Sequence, residues 1–202
     1  MDFRIEKDTM GEVRVSADKL WGAQTQRSYE NFRIGDVKMP SAIISAFAQL
    51  KKACARVNGK SGRISEEKAI LIERVCEEIL SGELNDNFPL SVFQTGSGTQ
   101  SNMNVNEVIA NRGNIIADKK ILHPNDDVNA CQSSNDTFPS AMNIAAVCAV
   151  ERSILPSLDK LINAFVLLEN NNPDVIKIGR THLQDATPVR FSQEVRGWRG
   201  LL

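Results

Sequence analysis

The sequence has 202 residues, of which 42% are hydrophobic and 24% are charged, as in an ordinary globular protein and unlike a disordered one. This length is enough for one or two domains with a sizeable core. The 24 basic and 25 acidic residues leave a net charge of −1, which predicts neither nucleic-acid nor anionic-membrane binding. Any bound anion must therefore be attracted by a local site.

The chain is predicted to begin with a small β-hairpin followed by a loop. Apolar and charged residues alternate over residues 3–15, and Thr-Met-Gly at 9–11 supplies the turn. Residues 21–27 are polar and irregular for a segment that contains a tryptophan. We predict that this segment is a loop packed by Trp21.

Two amphipathic helices are predicted next. The first runs over residues 41–57 and ends at Asn-Gly. The second runs over residues 65–80, with Ser65 as its cap and acidic residues in its first turn, where the helix dipole favours them. The predicted core-facing positions are Ile43, Phe47, Leu50, Cys54 and Val57 in the first helix and Ile72, Val75 and Ile79 in the second.

The later part of the sequence predicts longer helices. A helix is expected over residues 102–117. The helix predicted over residues 138–150 is apolar almost all round and should be buried on most sides. A one-sided apolar stripe follows, Asn-Asn-Asn-Pro at 170–173 ends it, and another helix begins near Ser192.

These patterns predict a mainly α fold with a small N-terminal β-hairpin. A first domain of short helices is expected over residues 1–131, and the beginning of a bundle of long helices over residues 132–202. The boundary is placed where short amphipathic helices give way to long apolar ones.

The cysteines, the apolar runs and the first residues bear on the cellular compartment of the protein, and they favour the cytoplasm. The four cysteines have no CxxC spacing and no histidine beside a pair of them, so no metal site is predicted. Cys54 and Cys76 fall on apolar helical faces, which favours core thiols in a reducing compartment such as the cytoplasm. The longest apolar run, residues 141–150, is too short to span a bilayer, and the first residues resemble neither a signal nor a transit peptide.

Three polar segments combine small hydroxyls or amides with a flexible backbone, each ahead of a predicted helix. They are Gly-Ser-Gly-Thr at 96–99, Ser-Ser-Asn at 133–135 and Arg-Thr-His at 180–182. A helix N-terminus carries unpaired N–H groups and about half a positive charge, so it readily receives a carboxylate or phosphate. Neutral hydroxyl and amide donors add directed hydrogen bonds. The three segments together predict a site for a small dicarboxylate.

These segments also have structural interpretations. Residues 96–99 could be a turn with an N-cap, and they lack the lysine and spacing of a phosphate loop. Residues 133–136 could cap a helix, a role that is compatible with ligand binding. A further segment, His-Pro-Asn-Asp at 123–126, could form half of a metal site, but the sequence offers no second cluster of ligands.

His182 is the first candidate for acid/base chemistry. Histidine titrates near neutral pH, the range that is useful for proton transfer. No serine or cysteine is marked by a nucleophile elbow, so acid/base work on a bound anion fits better than covalent catalysis. The alternative is a hydrogen-bonded histidine with a structural role only.

Five segments, taken together and in order, resemble the class II fumarases of the fumarase/aspartase superfamily. The resemblance covers nearly the whole chain. The segments are LWGAQTQR at 20–27, GSGTQSNMNVNE at 96–107, HPNDD at 123–127, QSSND at 132–136 and KIGRTHLQDATP at 177–188. The resemblance implies a fumarase/aspartase-like fold and reversible hydration of fumarate to L-malate, a step of the tricarboxylic acid cycle, with no cofactor and no metal. Aspartases, by contrast, carry Gln in place of His182 and Thr in place of Ser134.

The resemblance also implies roles for individual residues. His182 corresponds to the proton donor and acceptor, acting through water, and His123, Asn125 and Asp126 correspond to a second dicarboxylate site. The substrate-binding positions correspond to Ser97, Thr99, Ser133, Ser134, Asn135 and Thr181. Hydrogen bonds that strengthen as a substrate carboxylate takes up negative charge would stabilise the transition state for removal of a poorly acidic C–H proton.

The implied partners are a small dicarboxylate, fumarate or L-malate, and further copies of the chain in a homotetramer. Family chains are more than twice as long, and their later Gly-Ser-Ser segment, lysine and asparagine have no counterpart within residues 1–202. We therefore expect an N-terminal part of a fumarase that is inactive alone, in the cytoplasm or, for a processed eukaryotic form, the mitochondrial matrix. The alternatives are aspartate ammonia-lyase or another succinyl-compound lyase, and a catalytically inactive helical interaction module.

Overall fold

The computed structural model describes residues 2–202, which are mainly helical with two small antiparallel sheets, so the predicted fold class is confirmed. The main elements are β1 (Phe3–Asp8), β2 (Gly11–Ser16), α1 (Ala23–Asn31), α2 (Ser41–Lys60), α3 (Glu66–Ser81), α4 (Thr99–Ala117), α5 (Ser134–Ala149), α6 (Leu155–Asn171), β3 (Ile176–Thr181), β4 (Gln184–Arg190) and α7 (Phe191–Arg199). A 3-10 turn (Asn85–Asn87) and two π-helical segments (Pro124–Val128 and Val150–Ile154) complete them. The chain divides into two compact units, of which the first ends at Ala146 and the second is Val147–Leu202. The predicted boundary at residue 131 concerns domains of the family and stays a prediction.

The N-terminal hairpin and the second predicted helix form as their local signals indicate. Strands β1 and β2 pair in antiparallel register from Phe3 with Ser16 to Asp8 with Gly11. The side chain of Ser65 caps α3 by accepting the N–H of Lys68 at 3.4 Å. Both elements are stabilised by contacts between residues that are close in sequence. They can therefore be predicted from the local sequence alone.

The prediction of a loop over residues 21–27 is wrong, because α1 begins at Ala23. The N-terminus of α1 has no side-chain cap of its own. Instead, the buried carboxylate of Glu107, on α4, accepts the N–H groups of Gly22, Gln24 and Thr25 at 2.9, 2.9 and 3.0 Å. A cap supplied from more than eighty residues away leaves no local start signal.

Helices α2, α3 and α4 surround the core of the first unit. The predicted core positions of α3 are buried as expected, namely Ile72, Val75 and Ile79. In α2 the buried face is rotated from the predicted stripe: Val57 is 65% exposed, whereas Ile44, Lys51 and Ala55 are buried. The rotation places small alanine side chains inside and brings Lys51 to the amide oxygens of the half-buried Asn129 and Gln132.

Helix α4 begins at Thr99, three residues before its predicted start at 102.

The expectation that α5 is buried on most sides is wrong. Ala141 and Ala145 face the core, but Met142 is 48% exposed and Val147 61% exposed. Within residues 2–202 only one face of the helix has packing partners, so its other apolar side chains remain exposed.

One continuous helical stretch, Ser134–Asn171, is long and apolar enough to cross a membrane by length and composition alone. It has 38 residues, and its most apolar 18-residue window has a mean hydropathy of 1.2 with 11% of the window buried. The helix therefore continues well past the apolar run at 141–150, which by itself is too short to span a bilayer. The same criteria are met by core helices of helical bundles.

In the second unit, residues 180–182 do not precede a helix as predicted but lie in a second hairpin. Strands β3 and β4 pair from Ile176 with Arg190 to Thr181 with Gln184, with an irregularity at Ile178–Arg180. The two-residue turn consists of His182 and Leu183, both in the left-handed region with φ of 50° and 64°. The irregular register breaks the alternation, and the turn contains no glycine or asparagine, so the sequence carries no clear hairpin signal.

The remaining elements of the second unit follow their predicted limits. Helix α6 ends at Asn171 within the predicted stop, and α7 begins at Phe191, one residue before the predicted start. The carboxylate of Glu169, on α6, pairs with Arg196 and Arg199 of α7 at 3.3 and 2.6 Å. These contacts hold α7 against α6.

Candidate functional site

Two of the three polar segments meet in the first unit. Ser97 Oγ lies 3.1 Å from Thr99 Oγ1, which in turn lies 3.1 Å from Ser134 Oγ. We refer to Ser97, Thr99 and Ser134 as the hydroxyl cluster. Thr99 is the first residue of α4 and Ser134 the first of α5, so the cluster joins two helix N-termini. Two of the predicted substrate-binding segments are thus in direct contact.

The backbone of Gly98 permits this contact. Gly98 precedes α4 with a φ of +70°, and a Cβ added there would lie 2.1 Å from the ring of Phe138. Phe138 also packs against Phe47 of α2, with 6.1 Å between ring centroids. The aromatic ring therefore occupies the space above the glycine and holds the first turn of α5 against that of α4.

The hydroxyl cluster is accessible to a ligand. Ser97 and Thr99 are exposed and Ser134 is half-buried. The other predicted binding residues of this segment, Ser133 and Asn135, flank Ser134 and are also exposed. Hydroxyl groups at two helix N-termini can donate hydrogen bonds to a carboxylate while the helix dipoles favour its negative charge.

A largely buried polar network adjoins the cluster. The Nζ of Lys51 donates to Asn129 Oδ1 and Gln132 Oε1, each at 2.9 Å. Asn129 Oδ1 also accepts from the amides of Asn102 at 3.0 Å and Asn106 at 3.3 Å. We refer to these five residues as the amide network. Gln132 is the residue immediately before Ser133, so the network ends at the candidate site.

Burial shifts the pKa of two side chains in and near the amide network. Burial lowers the pKa of Lys51 to about 7. On the neighbouring helix α3, burial raises the pKa of the Cys76 thiol to about 12.

The predicted second dicarboxylate site forms a short capped turn in the first unit. His123 precedes the π-helical segment Pro124–Val128, and its Nδ1 accepts the N–H of Asp126 at 3.2 Å. His123, Asn125 and Asp126 are exposed, whereas Asp127 is buried and pairs with Lys68 at 2.7 Å. Among residues 2–202, no group of three or more His, Cys, Asp and Glu side chains is placed to hold a metal ion. The metal half-site alternative gains no support from this geometry.

The third polar segment belongs to the second unit. Thr181 closes the β3–β4 hairpin opposite Gln184, and His182 is the first residue of its turn. Both Thr181 and His182 are exposed. Arg180 pairs with Asp185 across the hairpin at 3.0 Å. The imidazole is therefore presented to solvent at the tip of a short hairpin.

The amide network was not predicted from the sequence, although two signals point to it. Lys51 interrupts a run of small apolar residues on the inner face of α2, and Asn102, Asn104 and Asn106 crowd α4 although asparagine is a poor helix former. Both are signals that buried polar groups bond to each other. Their partners Asn129 and Gln132 lie far away in sequence, so the signals indicate a network without identifying its members.

The chain was compared with known protein families and proteins. A family model described as Lyase matches residues 11–202. The chain is 56% identical over 206 residues to a class II fumarate hydratase of Bacillus subtilis and 55% identical over 207 residues to one of Campylobacter jejuni. In both cases all of the chain aligns, and it spans 45% of the relative's length.

Solved structures give the same result. The fold matches the crystal structure of a class II fumarase from Schistosoma mansoni with a TM-score of 0.93 and 41% identity, over 98% of this chain and 43% of that one. It matches the fumarate lyase:delta crystallin from Brucella melitensis with a TM-score of 0.94 and 40% identity, over 99% of this chain and 48% of that one.

Proposed function

Because this chain belongs to the lyase family and resembles class II fumarate hydratases over its whole length, we propose that it forms part of an enzyme that hydrates fumarate reversibly to L-malate. The observation that carries the proposal is the 3.1 Å contact between Thr99 and Ser134. This contact unites two helix N-termini into one surface of neutral donors. Such a surface suits a dicarboxylate better than a nucleotide, which would call for a phosphate loop.

In the proposed reaction the hydroxyl cluster holds a substrate carboxylate, with Ser133, Asn135 and Thr181 as further binding groups. When L-malate is dehydrated, a proton leaves the carbon beside one carboxylate, and that carboxylate takes up the negative charge. Hydrogen bonds that shorten as the charge develops lower the barrier, because they are stronger in the transition state than in the ground state. The electron pair then forms the double bond of fumarate as the C–O bond breaks, and the hydroxyl group takes up a proton and leaves as water.

We assign proton transfer to His182, acting through a water molecule, and leave His123, Asn125 and Asp126 as a second dicarboxylate site. The exposed position of His182 at the hairpin tip suits a group that meets substrate only when other protein surfaces complete the site. We further propose that the 202-residue chain alone does not turn over substrate.

Assembly is the finer part of the proposal. Exposed apolar side chains follow the helical stretch Ser134–Asn171, among them Met142, Val147 and Leu167. Charged residues such as Glu151 and Arg152 interrupt it midway, and these would be costly in lipid. We therefore propose that this surface packs against other copies in a homotetramer, in the cytoplasm, where the four unpaired cysteines would remain reduced.

The experiment uses the 202-residue chain and a chimera in which it replaces the matching part of the Bacillus subtilis enzyme. We expect no malate dehydration by the chain and clear dehydration by the chimera. In the chimera, His182→Asn should lower kcat at least 100-fold and change KM little, because the imidazole acts on the reacting proton.

The matched control is Leu183→Ala, at the neighbouring and 87% exposed turn position, which should retain kcat. Normal kcat in the His182→Asn chimera would remove the histidine from proton transfer. Turnover by the chain itself would show that it needs no further surface. Ammonia release from aspartate, without malate dehydration, would show that the substrate is aspartate and not L-malate.

A further inference from the structure

Lys51 is an unusual residue for the interior that it occupies. It is fully buried, and the hydrogen-bond partners of its Nζ are the neutral oxygens of Asn129 and Gln132. Burying an amine without a carboxylate is costly, and an apolar residue of similar length would avoid that cost. The reason for a lysine must therefore lie in what its two hydrogen bonds hold in place.

Both partners of Lys51 fix the turn that leads into the candidate site. The Nδ2 of Asn129 donates to the carbonyl of Gln132 at 3.1 Å. The Nε2 of Gln132 donates to the carbonyls of Val128 and Ala130, each at 3.1 Å. The backbone that precedes Ser133 is thus tied to two side chains whose own oxygens Lys51 holds.

The same network reaches the other side of the hydroxyl cluster. Asn102, one helical turn after Thr99 on α4, donates to Asn129 at 3.0 Å. The hydroxyl of the buried Thr137, on α5, lies within hydrogen-bond distance of Asn102 Oδ1 at 3.3 Å and of the carbonyl of Ser133 at 3.1 Å. Both helix N-termini of the cluster are therefore connected to one buried amine.

We propose that Lys51 is a positioning residue, which sets the placement of Ser133 and Ser134 relative to Thr99 through Asn129 and Gln132. It touches no substrate and acts only through the turn. Its importance for catalysis rests on the proposed function, whereas its effect on the turn does not.

The first test is amide hydrogen exchange in the 202-residue chain, with Lys51→Met compared with Lys52→Met. Methionine preserves length and volume but donates no hydrogen bond, and the neighbouring Lys52 pairs with the exposed Glu77 of α3. In Lys51→Met we expect protection of the amides of Gln132, Asp136 and Thr137 to fall at least tenfold relative to amides of α3. Lys52→Met should leave this ratio unchanged.

Unchanged protection at these three amides would overturn the proposal, since the lysine would then only fill space. Equal loss of protection in α3 would also overturn it, since the effect would be general destabilisation. In the active chimera, Lys51→Met should lower kcat/KM for fumarate at least tenfold, and an unchanged kcat/KM would reject the catalytic part. A chimera without any fumarase activity would reject the proposed function, while hydrogen exchange would still decide the role of Lys51 in the turn.

Discussion

At the scale of single residues, the hydroxyl cluster depends on a hydrogen atom at Gly98. The ring of Phe138 occupies the position where a side chain would begin, and the positive φ of Gly98 disfavours any other residue. The two hydroxyl-bearing helix starts can approach each other only because this position has no Cβ. The geometry of the site thus depends on Gly98, which has no side chain to contribute to binding.

Gly98→Ala should therefore lower the free energy of unfolding by about 2–4 kcal/mol, from overpacking against Phe138 and from the left-handed backbone. The control is Gly96→Ala, where an added Cβ meets nothing within 4 Å and φ is not positive. Urea denaturation of both variants gives the comparison. Equal stability of the two would mean that Phe138 moves aside at little cost.

At the scale of elements, the helices and the hairpin whose signals are local could be predicted from the sequence. Strands β1 and β2 follow from alternation, and α3 follows from Ser65 and its acidic first turn. Helix α1 could not be predicted, because its cap is the carboxylate of Glu107 on another helix. The β3–β4 hairpin could not be predicted either, because its turn of His182 and Leu183 uses residues that turns seldom contain.

The candidate site shows the same limit. The residue types at 96–99 and 133–135 indicate anion binding, and the structure places Ser97, Thr99 and Ser134 within hydrogen-bond distance. Which groups support them was not predictable. A lysine on the apolar face of a helix indicates that it has a hydrogen-bond partner. Only the fold determines that Asn129 and Gln132 are the partners.

Two buried titratable side chains, Lys51 on α2 and Cys76 on α3, also predict that stability depends on pH. Lys51 has a pKa of about 7 when folded, below its ordinary value of 10.5, so the unfolded chain binds more protons between these values and stability rises with pH. Cys76 has a pKa of about 12 when folded, above its ordinary value of 9.0, so this group by itself lowers stability above pH 9. The two effects oppose each other between pH 9 and 10.5, so they predict greatest stability within that interval and a fall above it.

Urea denaturation at intervals from pH 7 to 10.5 measures this dependence. The rise between pH 7 and 9 should approach about 1.4 kcal/mol per pH unit, the value for one proton. Lys51→Met should remove the rise, and Cys76→Ala should let the rise continue above pH 9 towards pH 10.5. A rise that persists in Lys51→Met would have to come from another group.

At the scale of the whole molecule, the exposed apolar side chains of Ser134–Asn171 predict association. Leu167, which is 62% exposed, is a suitable position for disruption, and Leu167→Glu should lower the fraction of chain that associates by at least half in sedimentation velocity. The control is Met10→Glu at the tip of the first hairpin, which introduces the same charge at another exposed apolar residue, 73% exposed. Equal loss in both variants would indicate nonspecific aggregation.

The turn formed by His182 and Leu183 has a consequence for protein engineering. A two-residue hairpin turn with positive φ at both positions is most stable with Asn-Gly, and a stability screen of this chain would favour that replacement. The replacement would remove the imidazole to which proton transfer is assigned. Under the role proposed for His182, computational stabilisation of this hairpin would select well-folded, inactive enzymes, so residue 182 should be held fixed in any such screen.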